Sequence, residues 1–199
     1  ELPKARDLLN QSLPLAQAAG SSATLARVLY GLGDIEWRIG NHTAAIPPLE
    51  ESLSLARTAV DRVQEIYTLN RIATVSVQLR NPLARGYLEQ CRTLALQMGN
   101  RERAAHATAN LGAISWYDGD YATAARDFLS ALGLARETGN HTTIAGCSVN
   151  IGVAALMMGH ADEARGMLLN ALQIARTMHI RPYVLFSIQI GRESCRERV

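Results

Sequence analysis

Four columns of residues recur along this chain at nearly constant spacing, and that regularity leaves few folds open to it. Gly33, Gly112 and Gly152 each follow a Leu or Ile (Leu32, Leu111, Ile151), and Ile72-Ala73 fills the missing place, giving spacings of 40, 39 and 40. Ala5, Ala45, Ala84, Ala124 and Ala164 form a second column, with spacings 40, 39, 40 and 40. Leu9, Leu49, Leu88, Phe128 and Leu168 form a third with the same spacings, and Ala16, Ala56, Ala95, Ala135 and Ala175 a fourth. Four columns in register at a period between about 20 and 50 residues are the mark of a repeat array, in which each unit buries its apolar face only against its neighbours.

Each unit reads as two helices. In the second, Ala, then Leu or Phe, then a small residue (Ser52, Cys91, Ala131, Ala171), then Ala stand at i, i+4, i+7 and i+11. That spacing lines one helical face. Small residues there let neighbouring helices approach, and the Leu or Phe fills the gap between them. Short turns separate the helices at Gly40-Asn41, Gly119-Asp120 and Gly159-His160. Glycine past a helix end suits a left-handed cap, and Asn41 or Asp120 can cap the next helix through its side-chain oxygen. Helices are predicted over 2–18, 22–39, 42–58, 62–80, 83–98, 102–118, 121–138, 142–158, 161–177 and 181 onward. Pro14 and Pro47-Pro48 sit within two of these, so kinks are expected there, or a late start near Pro47.

The fold class is all-α, an α-solenoid of antiparallel helix pairs. At these residues the chain resembles the tetratricopeptide repeat (TPR), whose pattern is W-x2-L-G-x2-Y…A-x3-F…P. Leu111-Gly112…Ala124-x3-Phe128 matches the middle of that pattern, and Leu32-Gly33…Ala45-x3-Leu49 and Ile151-Gly152…Ala164-x3-Leu168 follow it closely. The Trp position holds Leu29, Leu69, Thr108 and Ser148, the Tyr position holds Glu36, Ser76, Ser115 and Ala155, and Arg57, Arg136 and Arg176 replace the Pro. With its longer unit, and Asn110-Leu111-Gly112 in the first helix, the chain looks like the MalT-like TPR region of bacterial signalling ATPases and LuxR- or SARP-type regulators. The resemblance implies a right-handed solenoid of about 4.5 repeats. A repeat domain is expected over 1–189, with units at 1–20 (partial), 21–60, 61–99, 100–139, 140–179 and 180–189 (partial). The tail 190-IGRESCRERV-199 breaks the apolar pattern, resembles read-through of a common sequencing adapter, and is set aside. The chain has no initiator Met and opens within a helix, so a piece of a longer protein is expected.

Composition narrows function mostly by exclusion. A net charge of +2, with acids and bases alternating, gives no argument for nucleic-acid binding. No apolar run approaches the roughly 20 residues of a membrane helix, and a cytoplasmic location is expected. Cys91, Cys147 and Cys195 form no CxxC motif and no disulfide is expected. His42, His106, His141, His160 and His179 scatter over turns and helix starts and are read as solvated rather than as a metal cluster. Asp118-Gly119-Asp120 fills the turn slot that Ile39-Gly40-Asn41 and Met158-Gly159-His160 fill elsewhere, and it lacks the further oxygen ligands of a calcium loop. Asn10-Gln11-Ser12, Asn41-His42-Thr43 and Asn140-His141-Thr142 match the glycosylation pattern, but the last two fall where helix caps are expected. No phosphate loop, GxSxG or HExxH occurs, so no catalytic residue, cofactor or metal is expected and the chain is not read as an enzyme.

The expected function is binding, along a surface lined by the first helices of the pairs. By analogy with the TPR pattern, the exposed positions there are Arg27, Tyr30, Asp34, Trp37 and Arg38 in one unit. Tyr67, Asn70, Thr74 and Gln78 follow in the next, then His106, Trp116 and Tyr117, then Met157. Trp37 and Trp116 lie 79 residues apart at the same place in their units, where each either contacts a ligand or packs between helices. The ligand expected on this concave face is a peptide or partner domain, with a small effector as a further class. The alternative is the sensor arm of a larger STAND-type ATPase or transcriptional regulator.

Overall fold

A computed structural model describes residues 2–178. The tenth helix expected from 181, the partial unit 180–189, the tail, His179 and Cys195 lie outside the described residues. Those residues form nine helices: α1 (Leu2–Ala18), α2 (Ser22–Ile39), α3 (His42–Thr58), α4 (Arg62–Gln78), α5 (Ala84–Gln97), α6 (Arg101–Tyr117), α7 (Tyr121–Thr138), α8 (His141–Met157) and α9 (Ala161–Thr177). No strand occurs among them. The nine predicted spans that fall on described residues hold to within two residues at each end.

Of the described residues, those up to Leu94 form one compact unit and those from Ala95 onward a second. In the first, α1 packs on α2, α2 on α3 and α3 on α4, and α2 also touches α4. In the second, α6 packs on α7, α7 on α8 and α8 on α9, and α6 also touches α8. This is the α-solenoid arrangement that the repeat demands. No described helix is long and apolar enough to cross a membrane.

The columns prove to be the packing code. Ala45, Leu49, Ser52 and Ala56 are fully or almost fully buried, as are Ala124, Phe128, Ala131 and Ala135 in the second unit. The glycine column faces the large residue of the third column. A Cβ on Gly33 would stand 2.5 Å from Leu49 Cγ, one on Gly112 2.9 Å from Phe128 Cε1, and one on Gly152 2.9 Å from Leu168 Cγ. Glycine is required at these places because a ring or branched side chain occupies the volume of its missing methyl group.

Two expectations are corrected. Helix α3 begins at His42 and runs through Pro47 and Pro48, so there is no late start. The carbonyls those prolines leave without a helical donor belong to exposed Thr43 and Ala44, where water can satisfy them. Asn41 makes no side-chain cap on α3. Its amide donates to Glu36 Oε2 at 2.9 Å instead. Asp120 and Asn140 do cap, accepting from Thr123 N and Thr143 N at 3.0 Å. Where other turns place glycine, two left-handed positions carry Val60 (φ 54°) and Arg80 (φ 52°).

Candidate functional site

In the first unit the helices bury one stripe and present another. Helix α2 commits Ala26, Leu29 and Gly33 to the core. This leaves Tyr30, Asp34, Trp37 and Arg38, at i, i+4, i+7 and i+8, as a second stripe. Helix α4 buries Leu69, Ile72 and Ala73 and leaves Asn70, Arg71, Thr74 and Gln78 half-buried or exposed. The contact of α2 with α4 sets the two stripes side by side.

Their side chains form a connected cluster. Trp37 Nε1 donates to Gln78 Oε1 at 2.8 Å. The guanidinium of Arg71 lies over the Trp37 ring, 4.0 Å from its centroid, a cation–π geometry. Arg71 also pairs with Asp34 Oδ1, while Arg38 Nε donates to Asp34 Oδ2 at 2.8 Å. Tyr30 meets Tyr67 edge to face, with centroids 6.4 Å apart. Arg27 reaches Asp61 at 2.9 Å. Asp61 is held below its ordinary range, first by the Gln64 backbone N–H and then by Arg27. Arg71 Nε and Asn70 Oδ1 are closed to solvent and have no hydrogen-bond partner. Buried polar atoms are almost always satisfied, so two orphans on adjacent residues are unusual, although Ser76 Oγ and His42 Nδ1 elsewhere in the unit share this state.

Beneath this face the first unit buries a small hydrogen-bonded polar network. Ser52 Oγ donates to Ala26 O at 2.7 Å and meets Thr68 Oγ1 at 3.2 Å, and Gln64 Nε2 donates to Thr68 Oγ1 at 3.1 Å. Cys91, in the same column as Ser52, makes the equivalent contact from Sγ to Ile66 O at 3.5 Å. Glu65 is buried between α3 and α4. Burial pushes its carboxyl up, but hydrogen bonds from Arg57 and Arg62, at 2.9 and 2.8 Å, outweigh this and hold it below the ordinary value.

The matching face of the second unit has different chemistry. The positions of Tyr30, Asp34, Trp37 and Arg38 recur on α6 as Ala109, Ala113, Trp116 and Tyr117, and on α8 as Val149, Val153, Leu156 and Met157. Trp116 packs against the core of that unit and against Tyr121, with centroids 4.8 Å apart. Tyr117 is 76% exposed and Met157 55%. His106 is half-buried and lies 3.2 Å from Thr143 Oγ1. Burial, and then Arg103, push its imidazole below the ordinary value, with Glu102 opposing them. Burial alone raises the Cys147 thiol to about 12, so it is inert.

The structure thus brings together Tyr30 with Tyr67, Asp34 with Arg38, and Trp37 with Gln78. Arg27 turns instead to Asp61, and Thr74 spends its hydroxyl on its own helix at Asn70 O, 2.9 Å away. Asp34 was expected to be exposed, but two arginines cover it and its side chain is 15% exposed. The sequence pattern places His106 among solvated residues, but its ring is half-buried on α6 against Thr143 of α8, and His42 also buries its Nδ1. Sequence reasoning missed Arg71. Its register position holds Gly31, Asn110 and Asn150 in the other units, so no column announces it. Among the described residues, no group of three or more His, Cys, Asp or Glu is placed to hold a metal.

The family profile described as tetratricopeptide repeat matches residues 1–58 and 102–177. No curated protein matches. Among solved structures, the apo form of RapI superposes with a TM-score of 0.88 at 14% identity, covering 96% of this chain and 70% of that one. BtubC from P. vanneervenii gives 0.81 at 20% identity, covering 89% and 74%. The Rap conjugation gene regulator of plasmid pLS20, solved with the Phr* peptide, gives 0.68 at 18% identity; 81% of this chain spans 45% of that one. At these identities the likeness is one of fold.

Proposed function

Since this chain belongs to the tetratricopeptide repeat family, we propose that it is a non-catalytic scaffold that binds a peptide or a segment of a partner protein on the face made by the first helices of its pairs. The observation that carries this reading is the α2–α4 cluster. There an indole, two arginines and two amides gather on a partly open surface, and two buried polar atoms lack partners. Aromatic and arginine side chains dominate binding hot spots because they bury much area at low entropic cost. The Phr* peptide bound by a protein of the same fold supports a peptide as the ligand, and a small effector is the next class. Residues 1–189 form the repeat domain in this reading, and neither nucleic acid nor membrane is its partner. The free, buried thiol of Cys147 suits the reducing cytoplasm, where we place it. Its role as sensor arm of a larger signalling ATPase or transcriptional regulator follows from the MalT-like resemblance, and flanking sequence encoding a P-loop or a helix-turn-helix would support it.

The test is selection of a random-peptide library against the full chain, followed by binding to Trp37→Ala, Tyr117→Ala and Met157→Ala. Loss of binding in Trp37→Ala, with helical circular dichroism retained, supports the α2–α4 face. Loss only in Tyr117→Ala or Met157→Ala moves the site to the apolar face of the second unit. Peptides that bind all three variants like the parent overturn the reading.

A further inference from the structure

This inference rests on the reading that the α2–α4 face receives a ligand, and it names the chemistry that the face selects. We infer that Arg38 and Arg71 form a binding site for an oxyanion of that ligand, a carboxylate or a phosphate.

Charge is the first argument. Among the described residues Asp34 is the one carboxylate that pairs with either arginine, so there two guanidiniums share a single negative charge. Pre-organisation is the second. Arg71 is clamped between the Trp37 ring and Asp34 with 17% of its side chain exposed. Its rotamer freedom has been given up before any ligand arrives, which lowers the cost of binding. Arg38, 54% exposed and fixed by Asp34 through Nε, leaves its terminal nitrogens for a second contact. A planar guanidinium held in this way suits the paired oxygens of a carboxylate or phosphate.

Desolvation is the third argument. Arg71 Nε has lost its water without gaining an acceptor. The cation is therefore under-compensated, and an anion at the open terminal nitrogens of the guanidinium adds the negative charge that the protein does not supply. The fourth argument is register. The place of Asp34 holds Thr74, Ala113 and Val153 in the other units, and the place of Arg38 holds Gln78, Tyr117 and Met157. The α6–α7 and α8–α9 pairs stack without any such cluster, so packing of the repeat does not need it. Asp34 has a selective role as well: it aligns both arginines and disfavours a second anion beside the first.

The test uses the full chain with Trp116→Phe, which leaves Trp37 as the sole tryptophan. Its emission is followed during titration with N-acetylglycine, with inorganic phosphate and with neutral N-acetylglycinamide, at constant ionic strength. A saturable change with at least one of the anions and none with the amide is expected. Arg38→Gln, at an exposed position, should weaken the response about tenfold without loss of helicity. Arg71→Lys keeps the charge but loses the planar fork and should weaken it too. Tighter saturation by N-acetylglycine assigns a carboxylate, and tighter saturation by phosphate assigns a phosphoryl group. No saturation by either anion, an equal response to the amide, or indifference to Arg38→Gln overturns the inference. Library peptides that bind through Trp37 yet are unaffected by Arg38→Gln overturn it while leaving the scaffold reading intact. Anion saturation with no peptide recovered leaves the anion site standing and removes the peptide reading.

Discussion

Gly33 shows how a single missing methyl group fixes a helix pair. The space a Cβ would need is filled by Leu49, with Ala45 O 3.0 Å away on the same side. Gly33→Ala gains about 1 kcal/mol of helix propensity but overpacks a tight contact, which costs about 1–3 kcal/mol. The expected outcome is a net loss of about 1 kcal/mol in urea unfolding. Gly133→Ala, in α7 with nothing within 4 Å of its virtual Cβ, should instead gain about 0.5–1 kcal/mol. Equal effects at the two sites would show that the glycine column is not a packing device. Val60 carries the opposite defect, a β-branched residue held at φ 54°. A left-handed backbone costs an L-residue about 1–2 kcal/mol, so Val60→Gly should raise stability by about 1 kcal/mol in the same assay. What could be read from the sequence divides along this line. Gly33, Leu49 and their counterparts were legible because the same physical demand recurs every unit. Arg71 and Val60 were not, because each is an exception to its column, and a single exception carries no period. The cluster's partners were half legible: Trp37 and Asp34 fell on the right stripe, but the reach of a long arginine from α4, two helices on, is not written in spacing.

At the scale of elements, the corner between α3 and α4 is held by charge. Glu65 is buried and accepts from Arg57 in the preceding helix and Arg62 in its own first turn. Its folded pKa lies below the ordinary 4.5. The folded state therefore binds the proton less readily than the unfolded chain. The stabilisation is fully present above about 4.5 and is lost as pH falls through the lower folded value. Glu65→Gln should lower stability at neutral pH and flatten the acid limb of a stability–pH curve, and an unchanged limb would rule out this corner as its source. Helix ends also show where local rules yield to neighbours. Asn140 caps α8 as the sequence leads one to expect, whereas Asn41 is diverted to Glu36, which Arg6 also approaches at 3.6 Å. Sequence offers the capping residue, and the tertiary competitor decides whether it caps.

At the scale of the whole chain, stability and recognition are divided between different surfaces. Each unit has its own core, and repeat arrays open locally because contacts reach only to neighbours. Leu49→Ala, at a fully buried site, should cost about 2–5 kcal/mol. Hydrogen exchange should show the loss of protection concentrated in α2–α4, with α6–α9 largely retaining theirs; a uniform loss would mean a single cooperative unit. The stripes differ between the units: charged, polar and aromatic residues on α2 and α4, apolar and aromatic ones on α6 and α8.

The pairing of Gly33 with Leu49, Gly112 with Phe128 and Gly152 with Leu168 has a consequence beyond packing. Each fit closes within its own helix pair, so the grammar of assembly and the vocabulary of recognition occupy separate letters of the gene. A duplication or exchange of one forty-residue module carries its joint with it, while the outward letters stay free to drift. Such a chain can acquire a new binding partner without relearning how to fold.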